Sequence, residues 1–99
     1  MMYTLHHIPT GTFYCYQFHP LSEGEEPLMV FGDLTSSATF PFVKQPSNDF
    51  SDVLSIIAKS NTIAVIKLLL NRSTEKRKEV EFTEYKNITM SEFMVVKAL

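Results

Sequence analysis

The sequence is poor in several residue types that would point to a specific protein class. Its 99 residues include one cysteine, three glycines and no tryptophan. A single cysteine, Cys15, excludes an internal disulfide bond, so we expect a reducing, cytoplasmic environment. The first residues contain neither a basic stretch nor a long apolar run, and no signal peptide is expected. No apolar run approaches the ~20 residues that a membrane-spanning helix needs, so we expect no contact with a membrane.

Neither sign of charge dominates. Nine Lys and Arg residues are set against eleven Asp and Glu residues, which gives a net charge of −2. This balance argues against binding nucleic acid through overall charge, while a local basic patch stays open. Apolar residues make up 44% of the sequence, as in ordinary globular proteins. The length suits one hydrophobic core, and we predict a single domain over residues 1–99.

The strongest pattern lies in residues 47–70. A helix is predicted over about residues 48–60, with Ser47 or Asn48 as its cap, because apolar residues recur there at helical spacing. The stretch at 62–70 is apolar on both faces except for Lys67 and begins with β-branched residues, which predicts a buried strand. The apolar helix positions are Phe50, Val53, Leu54 and Ile57.

A β-hairpin is predicted at the start of the chain. Residues 3–8 and 12–18 form its arms, and Pro9-Thr10-Gly11 has the composition of a three-residue turn. Such a turn would pair His6 with Tyr14. Leu5, Phe13 and Cys15 then mark the core face, and the other face would present His6, Tyr14 and Tyr16 to solvent or to a partner.

The remaining segments also favour strands. Strands are predicted at 28–31, 80–85 and 93–99, the last with a short helix as the alternative. Thr89 and Glu92, just before that last segment, have the spacing of a helix capping box. Pro41 confines residues 38–43 to an edge or an irregular segment. The predicted fold is therefore α+β, a mostly antiparallel sheet of five or six strands with one main helix packed on one face.

No pattern of residues favours catalysis or metal binding. His6, His7, His19 and Cys15 are the only metal-like group, but adjacent His6 and His7 point to opposite faces of a strand. A Cys15–His7 pair would be the only candidate for nucleophilic catalysis, and burial of the thiol argues against it. We therefore expect a protein that is not an enzyme and has no cofactor.

A basic cluster lies between the predicted strands at 62–70 and 80–85. A solvated loop tip is the ordinary interpretation of such a cluster, and contact with phosphate groups is the alternative. With Tyr85 nearby for stacking, this alternative would make the protein a nucleic-acid or nucleotide binder. The cluster consists of Arg72, Lys76, Arg77 and Lys78.

Residues 2–11, Met-Tyr-Thr-Leu-His-His-Ile-Pro-Thr-Gly, resemble the opening of small accessory proteins of large tailed bacteriophages. These proteins often begin with a strand, a Pro-Thr-Gly turn and a second strand. The resemblance implies a protein made in the cytoplasm of an infected bacterium. It also implies that the protein binds a host protein, such as one of an immune or toxin system, and modulates or blocks it.

The function expected from the sequence is therefore binding of another protein, with His6, Tyr14 and Tyr16 as contact residues. We also expect a two-fold homodimer, because the segment at 93–99 carries only Lys97 to protect an exposed sheet edge. Its interface would use this segment, the face of Tyr14 and Tyr16, or both.

Overall fold

The computed structural model describes residues 2–19, 24, 27–34, 37, 39–41, 50–70 and 78–98; of these, residues 40, 41, 68–70 and 78–80 are described by their backbone alone. This part of the chain forms one mixed sheet and one α-helix, which confirms the predicted α+β class. The strands are β1 (Met2–His7), β2 (Thr12–Phe18), β3 (Leu28–Gly32), β4 (Phe40–Pro41), β5 (Thr62–Leu70), β6 (Lys78–Lys86) and β7 (Phe93–Lys97), and the helix is α1 (Ser51–Ser60).

The sheet is ordered β7-β1-β2-β3-β5-β6, and the short β4 shares one side of β1 with β2. This placement follows from the pairing of β1, because Tyr3 faces both Lys97 of β7 and Phe40 of β4. All neighbouring pairs are antiparallel except β3 and β5, which are parallel. The six longer strands match the predicted number, and Pro41 lies in a strand of only two residues.

The predicted helix is confirmed, although it begins at Ser51 with Phe50 as its N-terminal flanking residue. The predicted caps, Ser47 and Asn48, lie outside the described residues. The helix ends as the sequence predicts, because Asn61 adopts a left-handed conformation with φ 57° and its N–H donates to the Ile57 carbonyl at 2.7 Å. Strand β5 starts at the next residue, so the helix and the central strand form one continuous unit.

The main core lies between α1 and one face of the sheet, which we call the helix face. The predicted apolar face of α1 supplies Phe50, Val53 and Ile57, all buried, with Leu54 packed against them. The sheet supplies buried side chains from four strands, and the segment after β6 supplies one more. These are Leu5, Tyr14, Met29, Phe31, Ile63 and Ile88.

The opposite face of the sheet is curled. The rings of Phe18 in β2 and Phe82 in β6 lie 6.5 Å apart, although β3 and β5 separate their strands. A flat sheet with strands ~4.8 Å apart could not bring them together, so the sheet must curve around this face. Val30 and Ala64, on the two intervening strands, are fully buried there. Strand β5 is therefore buried on both faces at Ile63 and Ala64, as the sequence predicts.

The register predicted for the β1–β2 hairpin is wrong by one residue. His6 pairs with Phe13 and His7 with Thr12, so the turn contains four residues rather than three. The Gly11 N–H closes this turn by donating to the Ile8 carbonyl at 3.2 Å, and Gly11 has the left-handed conformation expected of it, with φ 66°. A shift of one residue moves each side chain of a strand to the other face.

The end of the chain confirms a strand rather than a helix. Thr89 and Glu92 form the reciprocal capping contacts that their spacing predicts, around a single 3-10 turn at Met90–Glu92. Strand β7 follows directly and pairs along β1 from Phe93 to Lys97. No helix among the described residues is long and apolar enough to cross a membrane.

Candidate functional site

The structure places the three predicted contact residues in different environments. Tyr14 is only 8% exposed and belongs to the core on the helix face, where its ring meets Phe31 edge-on at 5.8 Å. Its predicted place on the exposed face is therefore wrong, and the cause is the shifted register of the hairpin. His6 and Tyr16 lie on the opposite face, as predicted, because they share it with Phe13 and Val30.

His6 is held firmly on that face. Its ring stacks on Phe13 at a centroid distance of 4.5 Å, and its Nδ1 lies 2.9 Å from the carbonyl oxygen of Thr12. The carbonyl can only accept, so Nδ1 carries the proton in this contact. Both interactions fix the orientation of His6 before any partner arrives.

Three aromatic side chains stand half-exposed on the curled face of the sheet. Tyr16, Phe18 and Phe82 are 47%, 45% and 48% exposed, respectively. Tyr16 and Phe18 follow each other at a spacing of two on β2, and Phe82 approaches Phe18 from β6. We call these three residues the aromatic face. Large rings are usually buried, and a cluster of half-exposed rings is typical of an interaction surface.

The predicted basic cluster has no described geometry. Arg72, Lys76 and Arg77 lie outside the described residues, and Lys78 is described only by its backbone at the start of β6. Phosphate contact through these residues therefore stays a prediction.

A cavity of about 670 Å³ lies on the helix face, beside the turn of the β1–β2 hairpin. We call it the hairpin cavity. Its walls come from the hairpin turn, from the middle of β5, and from the segment that leads out of β6 towards β7. Its volume is within the range of small-molecule sites. The residues that line it are His7, Pro9, Thr10, Gly11, Thr12, Asp33, Val65, Ile66, Lys67, Tyr85, Lys86, Asn87, Ile88 and Glu92.

A chain of hydrogen bonds centred on His7 forms one wall of the hairpin cavity. The His7 side chain is 1% exposed, and both of its ring nitrogens have partners. Nδ1 lies 2.7 Å from Thr10 Oγ1, which in turn lies 2.6 Å from Thr12 Oγ1. Nε2 lies 3.2 Å from Glu92 Oε1. The network joins the hairpin turn to the start of β7, across 85 residues of sequence.

The protonation states of His7 and Glu92 follow from burial and from their hydrogen-bond partners. Burial lowers the pKa of His7, against the opposing effect of Glu92, so the imidazole is neutral near pH 7. The backbone N–H and the hydroxyl of Thr89 both donate to Glu92, at 2.6 and 2.7 Å, and they lower the pKa of its carboxyl group. An ionised carboxylate only accepts, so the single His7 proton is on Nε2 and Nδ1 accepts from Thr10.

The Cys15–His7 pairing considered for catalysis is wrong. Cys15 Sγ lies on the curled face, 3.1 Å from the position that a Cβ on Gly32 would occupy, whereas His7 points to the helix face. Burial raises the pKa of Cys15 to about 11, as expected for an unreactive thiol. Among the described residues, no group of three or more His, Cys, Asp or Glu side chains is arranged to hold a metal ion.

Two parts of these sites were not found from the sequence. Phe18 and Phe82 meet only because the sheet curls, and no local pattern reports that curvature. Glu92 was recognised through its capping spacing from Thr89, but nothing in the sequence links it to His7.

Comparison with known proteins finds no matching family model, no similar curated protein and no similar solved structure.

Proposed function

We propose that this chain is a small non-enzymatic protein that binds another protein through the aromatic face. The observation that carries the proposal is the half-exposure of Tyr16, Phe18 and Phe82 on one curled face. His6, stacked and oriented on the same face, contributes a polar contact beside them. Tyr14, which is buried in the core, is not part of the proposed surface.

The aromatic face can supply a useful share of binding energy. Each of the three rings has roughly 100 Å² still to bury, since a fully buried aromatic side chain hides about 150–250 Å². At about 25 cal/mol per Å², the three rings together contribute roughly 7 kcal/mol before the costs of association. Polar groups around the aromatic face must supply the remaining binding energy. Glu84 is an exposed residue on the same face, opposite Ala64 in the ladder.

The partner that we propose is a host protein, bound by a phage-encoded inhibitor or modulator in the bacterial cytoplasm. This extension is supported by the resemblance of residues 2–11 to phage accessory proteins and by nothing else in the chain. Defence and toxin proteins are the classes that the resemblance suggests.

The test is capture of a partner from bacterial lysate, followed by mass spectrometry and by affinity measurement with purified variants. Phe82→Ser should weaken binding at least tenfold. Tyr85→Ser is the matched control, because Tyr85 is an exposed ring on the same strand but faces the other side of the sheet. An equal loss of affinity in both variants, or no loss in either, would mean that the partner binds a different surface. Recovery of nucleic acid instead of protein would favour the alternative function at residues 72–78.

We also propose that β7 forms the interface of a two-fold homodimer. The Glu92 carbonyl accepts from Ile8 and the Ala98 N–H donates to Met2, so even-numbered residues of this segment direct their backbone towards β1. The backbone N–H and C=O groups of Val95 and Lys97 therefore point away from the sheet. Among the described residues, β1 is the only strand that pairs with β7. Such an edge is a template for pairing with a second copy.

A further inference from the structure

We propose that the hairpin cavity binds a small organic anion that has a planar ring and a hydrogen-bond donor. The proposal concerns the helix face of the sheet and is independent of the protein-binding surface on the curled face. It rests on three features of the cavity wall: its apolar and aromatic part, the exposed Lys67, and its paired hydroxyl groups.

The floor of the cavity suits a flat apolar body. Val65 and Ile88 supply aliphatic surface, and Tyr85 supplies a ring that is 42% exposed. Tyr85 pairs with Ile63 and so projects to the same face as Val65. A half-exposed tyrosine beside aliphatic side chains provides a surface on which a planar ring can stack.

Lys67 gives the cavity its affinity for negative charge. Its side chain projects to the same face as Val65 and Tyr85, it is exposed, and no hydrogen bond or ion pair joins it to another described residue. Glu81 lies opposite Lys67 in the ladder, yet the two form no ion pair. The Lys67 ammonium group is thus available to a ligand. Lys86 also borders the cavity, but its ladder position opposite Thr62 directs its side chain to the curled face.

The Glu92 carboxylate at the cavity is already engaged, because it accepts hydrogen bonds from His7 and from both donors of Thr89. Asp33 also has an interaction partner. Lys67 is the charged side chain of the wall to which the described residues offer no partner, which favours an anionic ligand.

The hydroxyl groups of Thr10 and Thr12 indicate that the ligand should carry a hydrogen-bond donor. The Thr10 proton is used in the bond to His7 Nδ1, so the short contact between Thr10 and Thr12 must use the Thr12 proton. Both hydroxyl protons are then committed, and Thr12 Oγ1 presents only lone pairs to the cavity. A ligand satisfies this wall best with an N–H or O–H donor.

Calorimetric titration with two probes tests the proposal. Adenosine monophosphate has a phosphate as its anion, a planar base and an amino group as donor. The second probe, 4-aminobenzoate, has a carboxylate as its anion, a planar ring and an amino group as donor. We expect at least one to bind saturably at millimolar concentration or below. For adenosine monophosphate, adenosine is the uncharged control and should bind at least fivefold more weakly. Failure of both anions to bind overturns the proposal.

Variants then locate the binding. Lys67→Gln should weaken binding of the anion about three- to fivefold, as expected for a partly screened ion pair. Lys97→Gln replaces an exposed lysine on β7, which does not line the cavity, and should leave affinity unchanged. Unchanged affinity in Lys67→Gln would overturn the assignment. Phe82→Ser should bind the anion like the unmodified chain, which separates this site from the aromatic face.

Discussion

Replacing His7 with Phe tests whether the buried hydrogen-bond network stabilises the fold. The His7 ring lies 4.8 Å from the ring of Phe93 and 6.1 Å from that of Phe31, so a phenyl ring fits the same aromatic surroundings. The substitution removes only the bonds to Thr10 and Glu92. Thr10 can turn its hydroxyl towards the cavity, and Glu92 keeps the donors of Thr89. The expected loss is therefore about 1–3 kcal/mol, or roughly 5–20 °C in melting temperature.

The loss should depend on pH with a defined sign. Burial holds the pKa of native His7 below its ordinary value of 6.5, so the unfolded chain binds a proton more readily than the folded chain. His7 therefore lowers the stability of the unmodified protein as the pH falls through 6.5 towards the lowered value. His7→Phe lacks this proton, so the difference in stability between the two proteins should shrink on acidification.

Urea denaturation followed by circular dichroism, at several pH values between about 5 and 8, measures both effects. This range stays above the pH at which the carboxyl group of Glu92, whose pKa is lowered, takes up its proton. His19→Gln replaces an exposed histidine outside the network and is the control for loss of a histidine as such. A variant His7→Phe as stable as the unmodified protein near pH 8 would refute the stabilising role. A stability difference that grows on acidification would refute the neutral imidazole.

Three further predictions concern the core, the thiol and the assembly. Phe50→Ala should cost about 3–5 kcal/mol in urea denaturation, because its ring is fully buried between helix and sheet; a loss below about 1 kcal/mol would contradict that packing. Cys15, with its pKa raised to about 11, should react with a thiol reagent at pH 8 only on unfolding, and rapid native labelling would contradict its burial. Light scattering at tens of micromolar should give twice the 11.3 kDa of one chain, and Met94→Lys, at a half-exposed position of β7, should restore the monomer; a monomeric unmodified chain would exclude the dimer.

The parts of the fold that the sequence predicts are those governed by short-range patterns. The apolar spacing from Phe50 to Ile57 reflects one face of a helix, and Asn61 stops that helix through its own backbone conformation. The β-branched start of β5 reflects burial on two faces, where α1 packs against Ile63 on one side and the curl of the sheet covers Ala64 on the other. Each of these signals is contained within a few residues, so it can be recognised without knowing the rest of the chain.

The candidate sites depend on contacts between distant segments. The hairpin cavity is built from β1, β5, β6 and the segment before β7, and the bond between His7 and Glu92 spans 85 residues. The aromatic face depends on the curl that brings Phe18 to Phe82. Neither the separation nor the curl has a local signature, so sequence patterns could identify surface residues such as Tyr16 but not the surface they form.

The hairpin shows how such a distant contact decides a local feature. A three-residue turn would require Ile8 to pair with Thr12, but the Ile8 N–H donates instead to the Glu92 carbonyl at 2.9 Å. Strand pairing between β1 and β2 therefore ends at His7, and Tyr14 moves to the core while Phe13 joins His6. In a regular strand Tyr16 would follow Tyr14 to the helix face. A bulge between them restores Tyr16 to the curled face, opposite Val30. The aromatic face thus depends on two departures from regular pairing, and both are fixed by the surroundings of the hairpin rather than by its turn sequence.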